Sequence, residues 1–259
     1  MSTPKTLVLR APGINCERET FDAFARAGSA PEFVHVKRLL EQPALLDRFA
    51  IVALPGGFAY GDDIAAGRVL ANEMRARAGE QFLRFVERGG LVLGICNGFQ
   101  ALVRLGLLPR VGGGELRQDA TLLHNLSNHY ECRWVTLKTK KSRCEWLPEG
   151  LMLRCPAAHG EGYLLPRDEE LAAVLASEGY EAFVYVEENG EPATSYPANP
   201  NGSPRAIAGL CDSTGRVLGL MPHPDRAYFP WHMPGWTREG IRDRGEGFVV
   251  FERLVAAAR

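Results

Sequence analysis

Several features that would classify this chain at a glance are missing from it. No apolar run in its 259 residues approaches the length of a membrane span. The N-terminus, Met1 to Lys5, has no signal-peptide apolar core. There is no excess of charge of either sign: 30 basic residues stand against 31 acidic ones, for a formal net charge of −1. That balance supplies no global field for nucleic acid or an anionic membrane. The six cysteines (Cys16, Cys96, Cys132, Cys144, Cys155 and Cys211) include no C-x-x-C pair, and no cysteine–histidine cluster has zinc-like spacing. The expectation is a cytoplasmic protein with reduced thiols, no metal site, and neither nucleic acid nor membrane as a partner. Repeats and low-complexity tracts are lacking as well. What remains is ordinary globular composition, 46% hydrophobic and 24% charged, in a chain long enough for one large α/β domain or two small ones.

Against that background one stretch stands out, Leu91-Val-Leu-Gly-Ile-Cys96-Asn-Gly-Phe-Gln100. Leu91 to Ile95 suits a strand buried on both faces, and Gly98 to Gly106 has helical apolar spacing with a glycine stop. Cys96 sits at the joint, flanked by Gly94 and Gly98. G-x-C-x-G is the spacing of a nucleophile elbow, with sulfur in place of the serine oxygen. A strand turning sharply into a helix strains the joint residue, and side chains at its shoulders would collide. The turn sets the thiol at a helix N-terminus, where unpaired N–H groups and the dipole favour thiolate. A cysteine taken alone is most often a small buried hydrophobe. The glycine pair turns the reading of Cys96 towards a nucleophile and leaves the other five as buried or incidental thiols.

The chain in order predicts strands at Thr6–Arg10, Phe33–Val36, Ala50–Leu54 and Leu91–Ile95. Between them fall a helix from Cys16 to Ala27 capped by Asn15, a short link at Leu45–Arg48, and helices at about 63–77 and 81–88. That alternation up to Leu108 marks a mostly parallel sheet covered on both faces. His35 alternates with apolar neighbours and reads as structural. Pro55-Gly-Gly-Phe-Ala-Tyr-Gly-Asp62 follows the carboxyl end of a strand, where open α/β sheets place ligands. It is neither a P-loop nor G-x-G-x-x-G, and taken alone it reads equally well as a plain turn. Beyond Pro109 come strands at 132–138, 151–154, 182–186 and 217–221, helices at 169–177 and 246–258, and a basic loop at 138–143 that reads chiefly as a solvated face.

A cysteine nucleophile needs a base, a partner to orient that base, and donors for an oxyanion. His223 follows a buried strand as Cys96 does, and Pro222 and Pro224 stiffen it. Asp225 lies two residues on; in an extended segment it would project to the same side and hold the imidazole tautomer. An isolated H-x-D is otherwise a surface turn. Oxyanion donors would be the backbone N–H of Asn97 and that of Gly57 or Gly56. Together these parts specify acyl transfer through a thioester: attack on an amide, loss of ammonia, then hydrolysis.

The segments Pro55–Asp62, Gly94–Gln100, Ala158-His-Gly-Glu-Gly162, Asn199-Pro-Asn-Gly202 and Met221-Pro-His-Pro-Asp-Arg226 occur in that order. The chain thereby resembles the glutaminase subunits of phosphoribosylformylglycinamidine synthase, class I (triad) glutamine amidotransferases of purine biosynthesis. The resemblance implies a flavodoxin-like three-layer αβα sandwich with a mostly parallel open sheet, and one glutaminase domain over residues 1–259. It implies Cys96 as nucleophile, His223 as base and Asp225 as orienting acid. It further implies that Gln100 and the loop of His159, Gly160, Glu161 and Gly162 help hold L-glutamine. Ammonia would pass to a separate synthetase subunit that uses ATP and Mg2+, and some members of the family also need a small bridging protein. No cofactor is expected in this chain.

Two departures from the family pattern carry expectations. The triad acid is usually glutamate; here the shorter Asp225 must reach the imidazole. The segment at about 227–245 is long and aromatic, and is expected to pack on the active-site rim or on the partner. Competing readings are a cysteine peptidase or DJ-1-like protein of the same fold, and a catalytically silent binding subunit. The Pro-His-Pro-acid segment argues against the first, and Cys96 together with His223 against the second.

Overall fold

The structure, a computed structural model, describes residues 3–240 and 242–259. Its strands are β1 (Lys5–Arg10), β2 (Ala30–His35), β3 (Ile51–Leu54), β4 (Leu91–Ile95), β5 (Ala120–Leu123), β6 (Glu131–Thr139), β7 (Met152–His159), β8 (Tyr163–Pro166), β9 (Glu181–Val186), β10 (Ile207–Cys211) and β11 (Val217–Leu220). Its helices are α1 (Glu17–Arg26), α2 (Val36–Glu41), α3 (Arg68–Glu87), α4 (Asn97–Leu105), α5 (Glu169–Ser177) and α6 (Phe248–Ala257).

Nine strands form one sheet in the order β2-β1-β3-β4-β11-β10-β9-β6-β7, while β5 and β8 pair separately. The first five are mutually parallel, with the doubly wound order that opens a crevice at the carboxyl ends of the strands. From β11 onward every pairing is antiparallel. The central parallel strands are apolar throughout (IVAL, LVLGI, VLGL) because both of their faces are buried. α1 packs with α6 on one face, and α3 with α2 and α4 on the other, giving the three layers.

Gly98 shows how tightly α4 is seated. A Cβ at that position would lie 1.9 Å from the Leu54 carbonyl oxygen at the end of β3. Only a residue without a side chain lets the first turn of α4 lie against that strand end.

Several expected boundaries differ. The two helices expected at 63–77 and 81–88 are one, α3, running through Gly79; a Cβ there would come within 2.9 Å of Leu116, so packing holds a turn that propensity disfavours. Residues 63–67 are not helical: Ile64 and Gly67 have φ of 72° and 70°. Asn15 does not cap α1. Cys16 is its N-cap, and the Asn15 amide donates instead to the Gly56 carbonyl. His35 caps α2 at the surface, accepting from the Lys37 amide. Two cations of the basic loop are compensated by ion pairs, Lys140 with buried Glu181 at 2.6 Å and Arg143 with Glu178 at 3.2 Å. Strands β5, β8 and β10 had no expectation at all; they are short, and β10 carries a glycine.

Replacing Gly98 by alanine is expected to force α4 off β3. The added methyl overpacks a backbone contact that cannot yield, at a cost of about 1–3 kcal/mol or more. Thermal unfolding of Gly98→Ala, several degrees below wild type, is the measurement.

Candidate active site

β3, β4 and β11 are neighbours whose carboxyl ends lie level, with Leu54 beside Gly94 and Leu220 beside Ile95. The chain therefore leaves all three strands at one place. From β4 it turns through Cys96, whose φ of 51° and ψ of −107° are those of a strained non-glycine joint. The Cys96 amide donates to the Leu220 carbonyl at 2.8 Å, and the thiol is directed at the Ala158 carbonyl, 3.5 Å away. From β11 the chain reaches His223, whose amide donates to the Pro156 carbonyl at 2.7 Å. Ala158 and Pro156 belong to β7, the far edge of the sheet. The antiparallel half thus curls back over the strand ends.

His223 Nδ1 lies 3.1 Å from Asp225 Oδ1, and both residues are buried. The contact was expected from an extended segment. Residues 224–226 form a 3-10 turn instead, and that turn brings the short acid back onto the ring. Among the described residues no hydrogen bond joins the Cys96 thiol to the imidazole. Both border Gly56: a Cβ there would lie 2.6 Å from His223 Cε1 and 3.4 Å from Cys96 Cβ. Burial pushes the His223 pKa down, but the Asp225 carboxylate and the negative charge at Cys96 outweigh it and hold the pKa well above its ordinary value. The imidazole therefore keeps its second proton at neutral pH.

A cavity of about 160 Å³ opens over the joint, lined by Gly57, Asp62, Cys96, Gln100, Ala158 and Glu161, with Phe58, His124, Tyr130 and others. Comparison with known proteins bears on this arrangement. Residues 3–256 match the family model of the CobB/CobQ-like glutamine amidotransferase domain. The chain belongs to the glutamine amidotransferase family. It is 47% identical to the phosphoribosylformylglycinamidine synthase subunit PurQ of Dehalococcoides mccartyi, over 100% of this chain and 99% of the relative. It is 42% identical to the PurQ subunit of Methanococcus maripaludis, over 96% and 92% of the two chains. A chain of the PurLQS structure from Thermotoga maritima superposes with a TM-score of 0.73 at 29% identity, covering 98% of this chain and 99% of that one. The chain is therefore an enzyme of the amidotransferase class, on an α/β fold.

In this glutamine amidotransferase the loops around the thiol are knitted to one another. Asn97 is the first residue of α4, so its amide is among the unpaired donors of that helix end. Its side chain accepts from Ala59 N at 3.0 Å and donates to Asp62 Oδ1 at 2.8 Å and Gln100 Oε1 at 2.9 Å. Gln100 in turn donates to the Glu161 carbonyl at 2.6 Å. Both ends of the Gln100 amide thus serve the protein. The Glu161 carboxylate accepts from Ala66 N and from Arg104, at 3.2 and 3.4 Å. Gly57 and Gly160 line the cavity; Gly162 does not, and packs beneath the His159 ring. Asp62 belongs to the Pro55–Asp62 segment, whereas Ala66 and Arg104 sit in stretches that read only as helix, and His124 and Tyr130 in stretches with no signal, so sequence reasoning missed these four.

His159 is the opposite of His223. Burial and the positive charge of His223 lower its pKa to about 3. Its Nδ1 lies 3.1 Å from Asn125 Oδ1, an oxygen that also accepts from Gly162 N, so Nδ1 carries the proton. Its Nε2 is buried, with no hydrogen-bond partner among the described residues.

Cys16, His223 and Asp225 offer three possible metal ligands within 4.8 Å of one another. Their donors are already engaged: Asp225 with His223, and the Cys16 sulfur with the Arg226 guanidinium at 2.9 Å. That guanidinium would repel a cation. All six thiols are unpaired, and only Cys132 is exposed.

The segment at 227–245, in which Ile241 lies outside the described residues, lines no part of the cavity over Cys96. The rim placement expected for it is therefore not what is found. It packs on its own chain: Arg26 stacks over Phe229 at 4.0 Å, and Arg154 of β7 bonds Glu239 and Glu246 at 2.9 and 2.7 Å. Among the described residues no helix is long and apolar enough to cross a membrane.

The two histidines predict opposite pH dependences. His159 titrates near 6.5 when unfolded and near 3 when folded, so the unfolded chain binds more protons between those values. Stability from this site is lost as pH falls below 6.5. For His223, raised when folded, the contribution is complete below 6.5 and is lost as pH rises above it. Replacing His159 by glutamine is expected to flatten the fall of Tm between about pH 6.5 and 4, measured by thermal unfolding across that range.

Proposed function

We propose that the chain is the glutaminase subunit of phosphoribosylformylglycinamidine synthase: it hydrolyses L-glutamine to glutamate and ammonia, and delivers the ammonia to a synthetase subunit. The observation that carries this reading is the strained Cys96 joint, opening on a small polar cavity beside a buried His223–Asp225 pair. In the proposed course the Cys96 thiolate attacks the glutamine carboxamide carbon. Negative charge developing on oxygen is met by the backbone N–H groups of Asn97 and Gly57. Gly56 would instead serve as the bare surface on which the imidazole rests. The His223 imidazolium gives its proton to the departing nitrogen, ammonia leaves, and a thioester remains. Neutral His223 then takes a proton from water, whose oxygen displaces the sulfur and releases glutamate. Asp225 holds the ring through Nδ1 and stabilises its charged form.

Substrate would lie in the cavity, with the carboxylates of Asp62 and Glu161 near its ammonium group; the segment from His159 to Gly162 and Gln100 shape the wall. We assign the chain one glutaminase domain over residues 1–259, with no cofactor of its own. ATP and Mg2+ belong to the synthetase, where formylglycinamide ribonucleotide becomes formylglycinamidine ribonucleotide. A small bridging subunit is a further proposed member of the complex, and the cytoplasm its place.

Glutamine hydrolysis measured with the cognate synthetase tests this reading. Cys96→Ala is expected to abolish it, and a glutamine-analogue electrophile to label Cys96 in wild type alone. Asp225→Asn is expected to lower kcat by at least about a hundredfold, because the amide orients the wrong tautomer. A substantial glutaminase rate in Cys96→Ala would overturn the mechanism.

A further inference from the structure

Thr20, on the second turn of α1, is wholly buried and far in sequence from every motif described above. Its hydroxyl lies 3.0 Å from Asp225 Oδ2 and 2.9 Å from the Cys16 carbonyl. A hydroxyl has one proton, and both neighbours are acceptors. The Cys16 carbonyl already accepts the helical bond from the Thr20 amide at 3.2 Å. Oδ2, in contrast, has no other donor among the described residues, and a bond to a charged acceptor is the stronger one. The proton therefore goes to the carboxylate.

We propose that Thr20 is a positioning residue of the catalytic base: its hydroxyl fixes the Asp225 carboxylate so that Oδ1 faces His223 Nδ1. The inference rests on the His223–Asp225 pair acting as proposed above. Asp225 is a short side chain within a 3-10 turn, and its carboxylate is free to rotate about one bond. With Oδ1 on the imidazole and Oδ2 on Thr20, both oxygens are engaged and the plane of the group is set. α1 is anchored to the same place independently, since the Cys16 amide donates to the Gly56 carbonyl at 3.2 Å and Arg226 holds the Cys16 sulfur. The helix that carries Thr20 is thus tied to the loop against which the His223 ring rests. Without the hydroxyl, Oδ2 is a buried and unpaired carboxylate oxygen. The carboxylate is then free to turn about its one bond, and Oδ1 no longer holds the charged imidazole as firmly.

The test uses the complex with its synthetase, comparing Thr20→Val, a near-isosteric change, with Thr20→Ser. Thr20→Val is expected to lower kcat for glutamine hydrolysis about ten- to a hundredfold with little change in KM. It should also move the basic limb of the kcat/KM profile to lower pH, because Asp225 is what raises the His223 pKa and would hold the imidazolium less firmly. Thr20→Ser restores both. In an Asp225→Asn background the valine substitution is expected to add nothing further, as coupling through the carboxylate requires and general loosening of the fold does not. Wild-type kcat and an unmoved basic limb in Thr20→Val would overturn the inference, as would failure of serine to rescue. Should Asp225→Asn itself leave activity intact, the assignment of the base pair fails rather than that of Thr20 alone.

Discussion

The whole site depends on one close approach between backbones. The first turn of α4 rests against the end of β3 because Gly98 leaves the Leu54 carbonyl unobstructed. With the helix seated there, the residue before it has no relaxed conformation left, and Cys96 takes a positive φ. Strain of that kind persists only where the surroundings over-determine it. Here the Cys96 amide bond to Leu220 on one side and the buried α4 on the other supply that constraint. The result is a thiol fixed at the head of a helix, turned towards a carbonyl and a cavity instead of into hydrocarbon.

Around that fixed sulfur the protein sets two buried imidazoles in opposite charge states. Both are desolvated, which alone would leave both neutral. His223 faces a carboxylate that is itself held from behind by Thr20, and stays charged; His159 faces a neutral amide and the charge of His223, and stays uncharged. Sequence position does not separate them, since each lies at or just past the carboxyl end of a strand, beside a glycine or a proline. The neighbour at Nδ1 does.

The antiparallel half of the sheet has a role that its distance along the strand order conceals. β7 is at the edge, yet it supplies the carbonyls that meet the Cys96 thiol and the His223 amide, and it carries Arg154, which ties down the long segment after Asp225. Curling of a twisted sheet turns an edge strand into a wall of the site.

Much of this was legible in the chain itself, and for physical reasons. Cys96, its glycines, His223 and the parallel strands are local signals: period, bulk and backbone freedom act over a few residues. The division of labour among Asn97, Gln100 and Glu161 was not legible, because a carboxamide that holds a loop reads the same as one that holds a substrate. The single helix over 68–87 was hidden because Gly79 weakens the local pattern while its packing against Leu116 strengthens the helix. Sequence alone determined that a thiol, an imidazole and an acid would stand at strand ends, since each is fixed by its own few neighbours. Tertiary structure alone decided that the short acid reaches the ring through a 3-10 turn and that a threonine 205 positions away in the chain holds it. Contacts across such separations depend on where helices and edge strands come to rest, and no local spacing encodes that.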